Sequence, residues 1–127
     1  MKTHSRFLRY STPDVLGEAT DSVTGDAELA FDGSIPISTN QEIDLAFKYA
    51  KVKSFCIYAS GGITLFTNAN NGSGGDTLLI PAGLTVWNAN DAAACPFTID
   101  VTKLFADNLS ASAAVAVKIR VLIDSTP

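Results

Sequence analysis

From Ala27 to Ile123 the chain sets short apolar runs between Gly, Pro, Asn, Asp and Ser, at the spacing of strands rather than helices. Ala27, Leu29 and Phe31 share one face of a first strand, with Glu28 and Ala30 on the other, and Asp32-Gly33-Ser34 ends it. Pro36 lacks the N–H that a central ladder needs, which puts Ile35-Pro36-Ile37 in an edge or loop segment. Ile43, Leu45 and Phe47 alternate with Asp44, Ala46 and Lys48 in a second strand. In a third, Val52 to Tyr58, Phe55 and Ile57 face one way and Cys56 and Tyr58 the other, so both faces call for cover. Ser60-Gly61-Gly62 then turns the chain into a strand from Ile63 to Thr67.

Asn68 to Asp76 contains no side chain larger than Asn or Asp and reads as an exposed, mobile loop. Thr77 to Ile80 and Leu84 to Asn88 flank Pro81-Ala82-Gly83, in which Pro presets one φ and Gly can take a positive one, so they form a tight hairpin. After the loop from Asn90 to Pro96, Phe97, Ile99 and Val101 alternate strictly with Thr98, Asp100 and Thr102. Leu104 to Asp107 fits a strand or the start of a short helix reaching Ala114, and we favour the strand. The last run is the clearest, with Val115, Val117, Ile119, Val121 and Ile123 on one face. Ser11 to Gly25 is polar and turn-rich and reads as a long loop, or one helical turn near Asp14.

About eight strands, with no helical pattern long enough to cross between parallel neighbours, predict an all-β fold. The expectation is a single antiparallel β-sandwich, jelly-roll-like, over residues 11–127, preceded by an extended N-terminal arm over residues 1–10. A chain of 127 residues suits one such domain. It has no apolar run of the length that crosses a bilayer, and MKTHSRFLR lacks the apolar stretch of a secretory signal, so we expect an intracellularly made, soluble protein.

Charge changes the picture at the N-terminus. Lys2, Arg6 and Arg9 stand there without an acid, although the whole chain carries a formal net charge of −4. A basic tip on an acidic body suits an arm that reaches toward an acidic surface, with Phe7, Leu8 and Tyr10 as apolar anchors; a frayed terminus is the alternative. Nucleic acid is not an expected partner, because three charges give weak affinity and the body opposes it.

Candidate chemistry is sparse. His4, the sole histidine, lies in the arm, away from the usual Ser-His and Cys-His arrangements. Cys56 and Cys95 match no metal-ligand spacing; Cys56 reads as a small core side chain, and a disulfide between the two is geometrically open. Asn71 to Leu78 resembles one copy of the glycine-rich calcium-binding nonapeptide of repeat-in-toxin proteins, but one copy lacks the neighbouring turn that completes the oxygen shell. No pair of carboxylates stands out as a glycosidase pair, and no cofactor is expected. Trp87, with Tyr58 and Tyr49, is the aromatic set a glycan site would stack on sugar rings, with Asn88 and Asn90 taking the hydroxyls, while a Trp in that run also fits partial burial at a sheet edge with its N–H bonded.

Ile63 to Asn68 followed by Asp76 to Gly83, then Val86-Trp87-Asn88, the closing Ile119 to Asp124, and the opening Arg6 to Ser11 together resemble small β-sandwich proteins of bacteriophage particles. The resemblance implies a non-enzymatic virion protein, a head decoration or cement protein on the outer capsid, assembled in the host cytoplasm. Its implied partners are the major capsid protein and further copies of itself, with a trimer favoured and no membrane involved. The gripping segment would be the arm, through Lys2, Arg6, Phe7, Leu8, Arg9 and Tyr10. The alternative is a carbohydrate- or receptor-binding module of a tail or fibre, with Trp87, Asn88 and Asn90 at the site.

Overall fold

The computed structural model describes residues 2–11, 13 and 16–124, and all of their side chains but those of Tyr10, Ser11 and Leu16. The described chain is all-β and antiparallel. β1 (Lys2–Ser11) and β2 (Leu16–Gly25) form a two-stranded ribbon in continuous register from Lys2↔Gly25 to Ser11↔Leu16. β3 (Ala27–Ile35), β4 (Thr39–Ile43), β5 (Val52–Ala59), β6 (Ile63–Thr67), β7 (Thr77–Ile80), β8 (Gly83–Asn88), β9 (Leu104–Asn108) and β10 (Val115–Ile123) follow, with one 3-10 turn at Tyr49–Lys51. They pair as nested hairpins, β3 with β10, β4 with β9, β5 with β8 and β6 with β7. They form two four-stranded sheets, ordered β3-β10-β5-β8 and β4-β9-β6-β7, so Thr77–Ile80 and Gly83–Asn88 lie in different sheets and do not make the hairpin expected about Pro81.

The sheets enclose one apolar layer, which makes the body sandwich-like. Phe55, Ile57, Val117, Ile119 and Val121 of the first sheet share a buried cluster with Ile43, Leu65, Leu104 and Ala106 of the second. Phe97 enters it from a loop, edge-on to Phe47 and Phe55 at ring separations of 5.1 and 5.2 Å. The alternation in β10 sorts its faces as expected, with one exception: Leu122 faces away from this cluster and is nevertheless 0% exposed. The β1–β2 ribbon covers it, with the backbone at Gly25 so close that a Cβ there would lie 3.0 Å from the Leu122 side chain.

Several elements depart from expectation. Leu16–Gly25, expected within a loop, is the return strand of the ribbon, so the N-terminal segment is half of a hairpin rather than a lone arm; Asp14 lies outside the described residues. β3 does not stop at Asp32, because an edge strand accepts Gly33 opposite Val117; it runs to Ile35, and the ladder ends at Pro36. Ile43, Leu45 and Phe47 are all buried, yet the strand ends at Ile43 and only a bridge from Phe47 to Val101 continues it. Phe97 to Val101 likewise forms no strand beyond that bridge. Alternating burial needs only an extended chain over a core, and neither segment has a partner along its length. Leu104–Asn108 is a strand, as favoured.

The Asn68–Asp76 loop is tied down rather than loose. Thr67 N–H donates to Asp76 C=O and Asp76 N–H to Thr67 Oγ1, while Asn68 Oδ1 accepts from the Thr102 amide at 2.8 Å. The backbones at Gly75 and Thr67 touch, leaving no room for a Cβ.

Candidate functional site

β1 and β2 carry the residues that join ribbon to body. Alternation along β1 turns His4, Arg6 and Leu8 toward the sheet and Ser5, Phe7 and Arg9 away from it. Opposite them, Asp21 and Val23 form the inward face of β2. The Arg6 guanidinium holds Asp21 at 2.6 Å across the ribbon and Asp91 of the β8–β9 loop at 2.7 Å. Asn88 Nδ2 donates to Asp21, and Asp91 accepts from the Asn88 amide, which closes the network onto the end of β8. Hydrogen bonds from Arg6 hold the carboxyls of Asp21 and Asp91 below the usual carboxylate range. Arg9 pairs with Glu18 of β2 at 3.0 Å, so the basic first strand is matched by acids on the second.

His4 is the second anchor. Its Nε2 meets Glu28 of β3 at 2.5 Å and its Nδ1 meets Ser54 Oγ of β5 at 2.7 Å. The ionised carboxylate only accepts, so Nε2 carries a proton, and in the neutral ring Nδ1 accepts from the Ser54 hydroxyl. A serine, a histidine and a carboxylate in hydrogen-bonded sequence have the connectivity of a nucleophilic relay. The sequence reading set His4 apart from any such arrangement, and the ribbon brings it into one. Ser54 is only 5% exposed, however, and β5 lies between β10 and β8, so its main-chain N–H groups serve ladders rather than an oxyanion pocket. As placed, the trio clasps β1 to β3 and β5, and all three of its members also border the cleft between β1 and the sheet.

Between β1 and the outer face of the first sheet lies a cleft of about 410 Å³, bordered by Phe7, Cys56, Leu84, Val86 and Arg120. Arg120 is held by both carboxylate oxygens of Asp32, at 2.8 and 3.0 Å. A second hollow of about 590 Å³ continues under Leu8 and Ala19, against Leu84 and Val86. Phe7 and Leu8 are each 61% exposed, and Leu84 is 66% exposed.

The predicted site residues are therefore distributed as follows. Lys2 is exposed at the ribbon base, Arg6 and Arg9 are engaged within the ribbon, Phe7 and Leu8 are open, and the Tyr10 side chain lies outside the described residues. Trp87 packs against the core from edge strand β8, and its Nε1–H donates to Ala93 C=O at 2.9 Å. Asn88 is buried in the Arg6 network, while the exposed Asn90 reaches Ser22 C=O, so these three do not form one open face. Both Asp76 carboxylate oxygens accept from Thr98. The cysteines exchange their expected places: Cys56 faces the cleft, Cys95 packs on the core, and both are free. Burial pushes both thiols up. Glu28, Ser54, Asp21 and Asp91 carried no separate signal; only the opposite charges of Arg9 and Glu18, and of Arg6 and Asp21, at matching ribbon positions could have revealed the hairpin.

No protein-family model, no curated protein and no solved structure matches this chain.

Proposed function

We propose that this chain is a non-enzymatic structural protein of a bacteriophage virion, a head decoration or cement protein that binds the outer surface of the major capsid protein and stabilises the shell. The body is read as a jelly roll: numbered from β3, its sheets run 1-8-3-6 and 2-7-4-5, the order made by rolling up one nested ribbon. That architecture serves capsid and lectin domains alike, so it alone does not choose between the two roles. The observation that carries the decoration reading is the β1–β2 ribbon, clasped to the body at His4 and Arg6 while Phe7, on the same strand at the rim of the cleft, stays 61% exposed. A braced apolar side chain loses little entropy on docking, as an anchor residue should. The glycan-binding alternative would need the ring face of Trp87 open beside the amides of Asn88 and Asn90, whereas Trp87 packs on the core and Asn88 is buried against Asp21.

The test is the copy number of the chain in purified phage particles, by quantitative mass spectrometry. Hundreds of copies per particle are expected, and Phe7→Asp should lower occupancy about tenfold or more while the soluble protein stays folded. Absence from particles, or full occupancy with Phe7→Asp, would overturn the reading.

A further inference from the structure

We infer that β8 is a self-pairing edge, through which two copies of this chain join their first sheets into one continuous eight-stranded sheet about a two-fold axis at Thr85. The hydrogen-bond phase of the strand carries the argument. Ala89 N–H donates to Lys53 C=O, so alternation makes Phe55↔Trp87, Ile57↔Thr85 and Ala59↔Gly83 the bonded pairs of the β5–β8 ladder. The main-chain groups of Leu84, Val86 and Asn88 then point to the open side. Those of Asn88 are taken by Asp91, whose side chain accepts at 3.1 Å and whose N–H donates back at 3.0 Å. Among the described residues, none pairs with the outward groups of Leu84 and Val86.

Two outward residues separated by one inward residue match themselves when the strand is turned antiparallel. Leu84 of one copy faces Val86 of the second in a bonded pair, Val86 faces Leu84, and Thr85 faces Thr85 in a non-bonded pair. The devices that block other edges are missing here. β3 carries Glu28 and Asp32, β4 carries Glu42, and β7 is four residues long and followed by Pro81, whereas Gly83–Asn88 contains no charge and no Pro.

The same operation covers the apolar side chains left open on that face. The ribbon crosses the sheet from Glu28 on β3 over Ser54 on β5 to Asn88 on β8, and Leu8 lies beyond its last anchor at Arg6. In the pair, the row at Asn88 meets residue 82 of the second copy, so Leu8, which lines a hollow with Leu84 and Val86 of its own chain, lies near the seam between the copies. Leu84 and Tyr58 are in register and are 66% and 43% exposed, and Val86 is 40% exposed. With Leu8, these residues offer on the order of 400 Å² per copy, taking ordinary large side-chain areas. The edge backbone brings the contact toward the ~600 Å² per partner at which specific interfaces begin.

The full chain is tested by sedimentation and by register-specific cross-linking in a Cys56→Ala, Cys95→Ala background. The parent chain should be dimeric at tens of micromolar, and Leu84→Lys should raise the dimer dissociation constant about a hundredfold or more. Non-bonded antiparallel neighbours have Cα atoms ~4.5 Å apart, within disulfide reach. Thr85→Cys should therefore oxidise to a covalent dimer in high yield, and Leu84→Cys, which has no copy of itself opposite, should not. A chain that stays monomeric or forms trimers, dimers that survive Leu84→Lys, or equal cross-linking of the two cysteine variants would overturn the inference. Dimerisation is read on the soluble chain and the capsid reading on the copy number of the parent chain in particles, so failure here leaves the capsid reading standing, and the reverse holds.

Discussion

Asn108 shows how one polar side chain can define a corner of the fold. It is fully buried on β9, where its Nδ2 protons are shared among the carbonyls of Ile35, Pro36 and Ala113, and its Oδ1 accepts from Ser110 N–H. The amide thus satisfies main-chain groups at the end of β3 and at the entry to β10, where the ladder lapses beside Pro36. Replacing it with Ala leaves buried carbonyls unpaired and opens a small void, so Asn108→Ala should lower stability by about 2–4 kcal/mol. Urea unfolding followed by tryptophan fluorescence measures this, and a loss below ~1 kcal/mol would mean that water replaces the amide at no cost. Cys56 and Cys95 illustrate the opposite case, in which residue type said little. A lone cysteine suits a core or an outer strand face equally, and only the register of β5 against β10 and β8 assigns Cys56 to the cleft.

At the scale of elements, the ribbon is held by charge where the sheets are held by apolar contact, and the two respond differently to acid. Asp21 and Asp91 have their carboxyls lowered in the folded state, chiefly by hydrogen bonds from Arg6. A lowered folded value means stabilisation that is complete above the ordinary carboxylate value near 3.8 and is lost as pH falls through the folded one. Below about pH 4 the ribbon should therefore loosen before the body does. Hydrogen exchange of the β2 amides, compared with those of β10, should show protection falling first in β2; parallel loss in both strands would contradict this. Asp91→Asn should give part of the same loosening at neutral pH. The contrast also explains what could be read in the sequence. β10 was legible residue by residue because one face meets a continuous apolar core. The ribbon was not, because β2 reads LGEATDSVTG and owes its place to pairing with β1, which leaves no apolar alternation in either strand alone. Phe97 to Val101 failed for the converse reason: the alternation is present but no strand runs beside it. The clasp was invisible because His4, Glu28 and Ser54 are joined only by the way the ribbon crosses the sheet.

For the molecule as a whole, the ribbon is an addition to a body that is complete without it. Among the described residues, the buried cluster and the partly buried side chains packed on it begin at Leu29 and Phe31 and include none from β1 or β2. The nested pairing from β3 to β10 likewise closes without them. A chain starting at Asp26 should therefore fold and unfold cooperatively, with near-ultraviolet circular dichroism bands and a urea m-value only modestly below those of the parent chain. It should also be less soluble, because removing the ribbon bares Leu122, which the parent buries completely on the outer sheet face. Exposing that side chain forfeits roughly 2 kcal/mol of burial and adds apolar surface beside Val86 and Leu84. Leu122→Ser in the shortened chain should restore solubility, while in the parent it should be destabilising, because the ribbon then covers a hydroxyl without a partner. The same substitution is thus expected to have opposite consequences in the two contexts. A shortened chain that melts without a cooperative transition would instead make the ribbon part of the folding unit, and the clasp at His4 and Arg6 would then hold the body together rather than merely aim the ribbon.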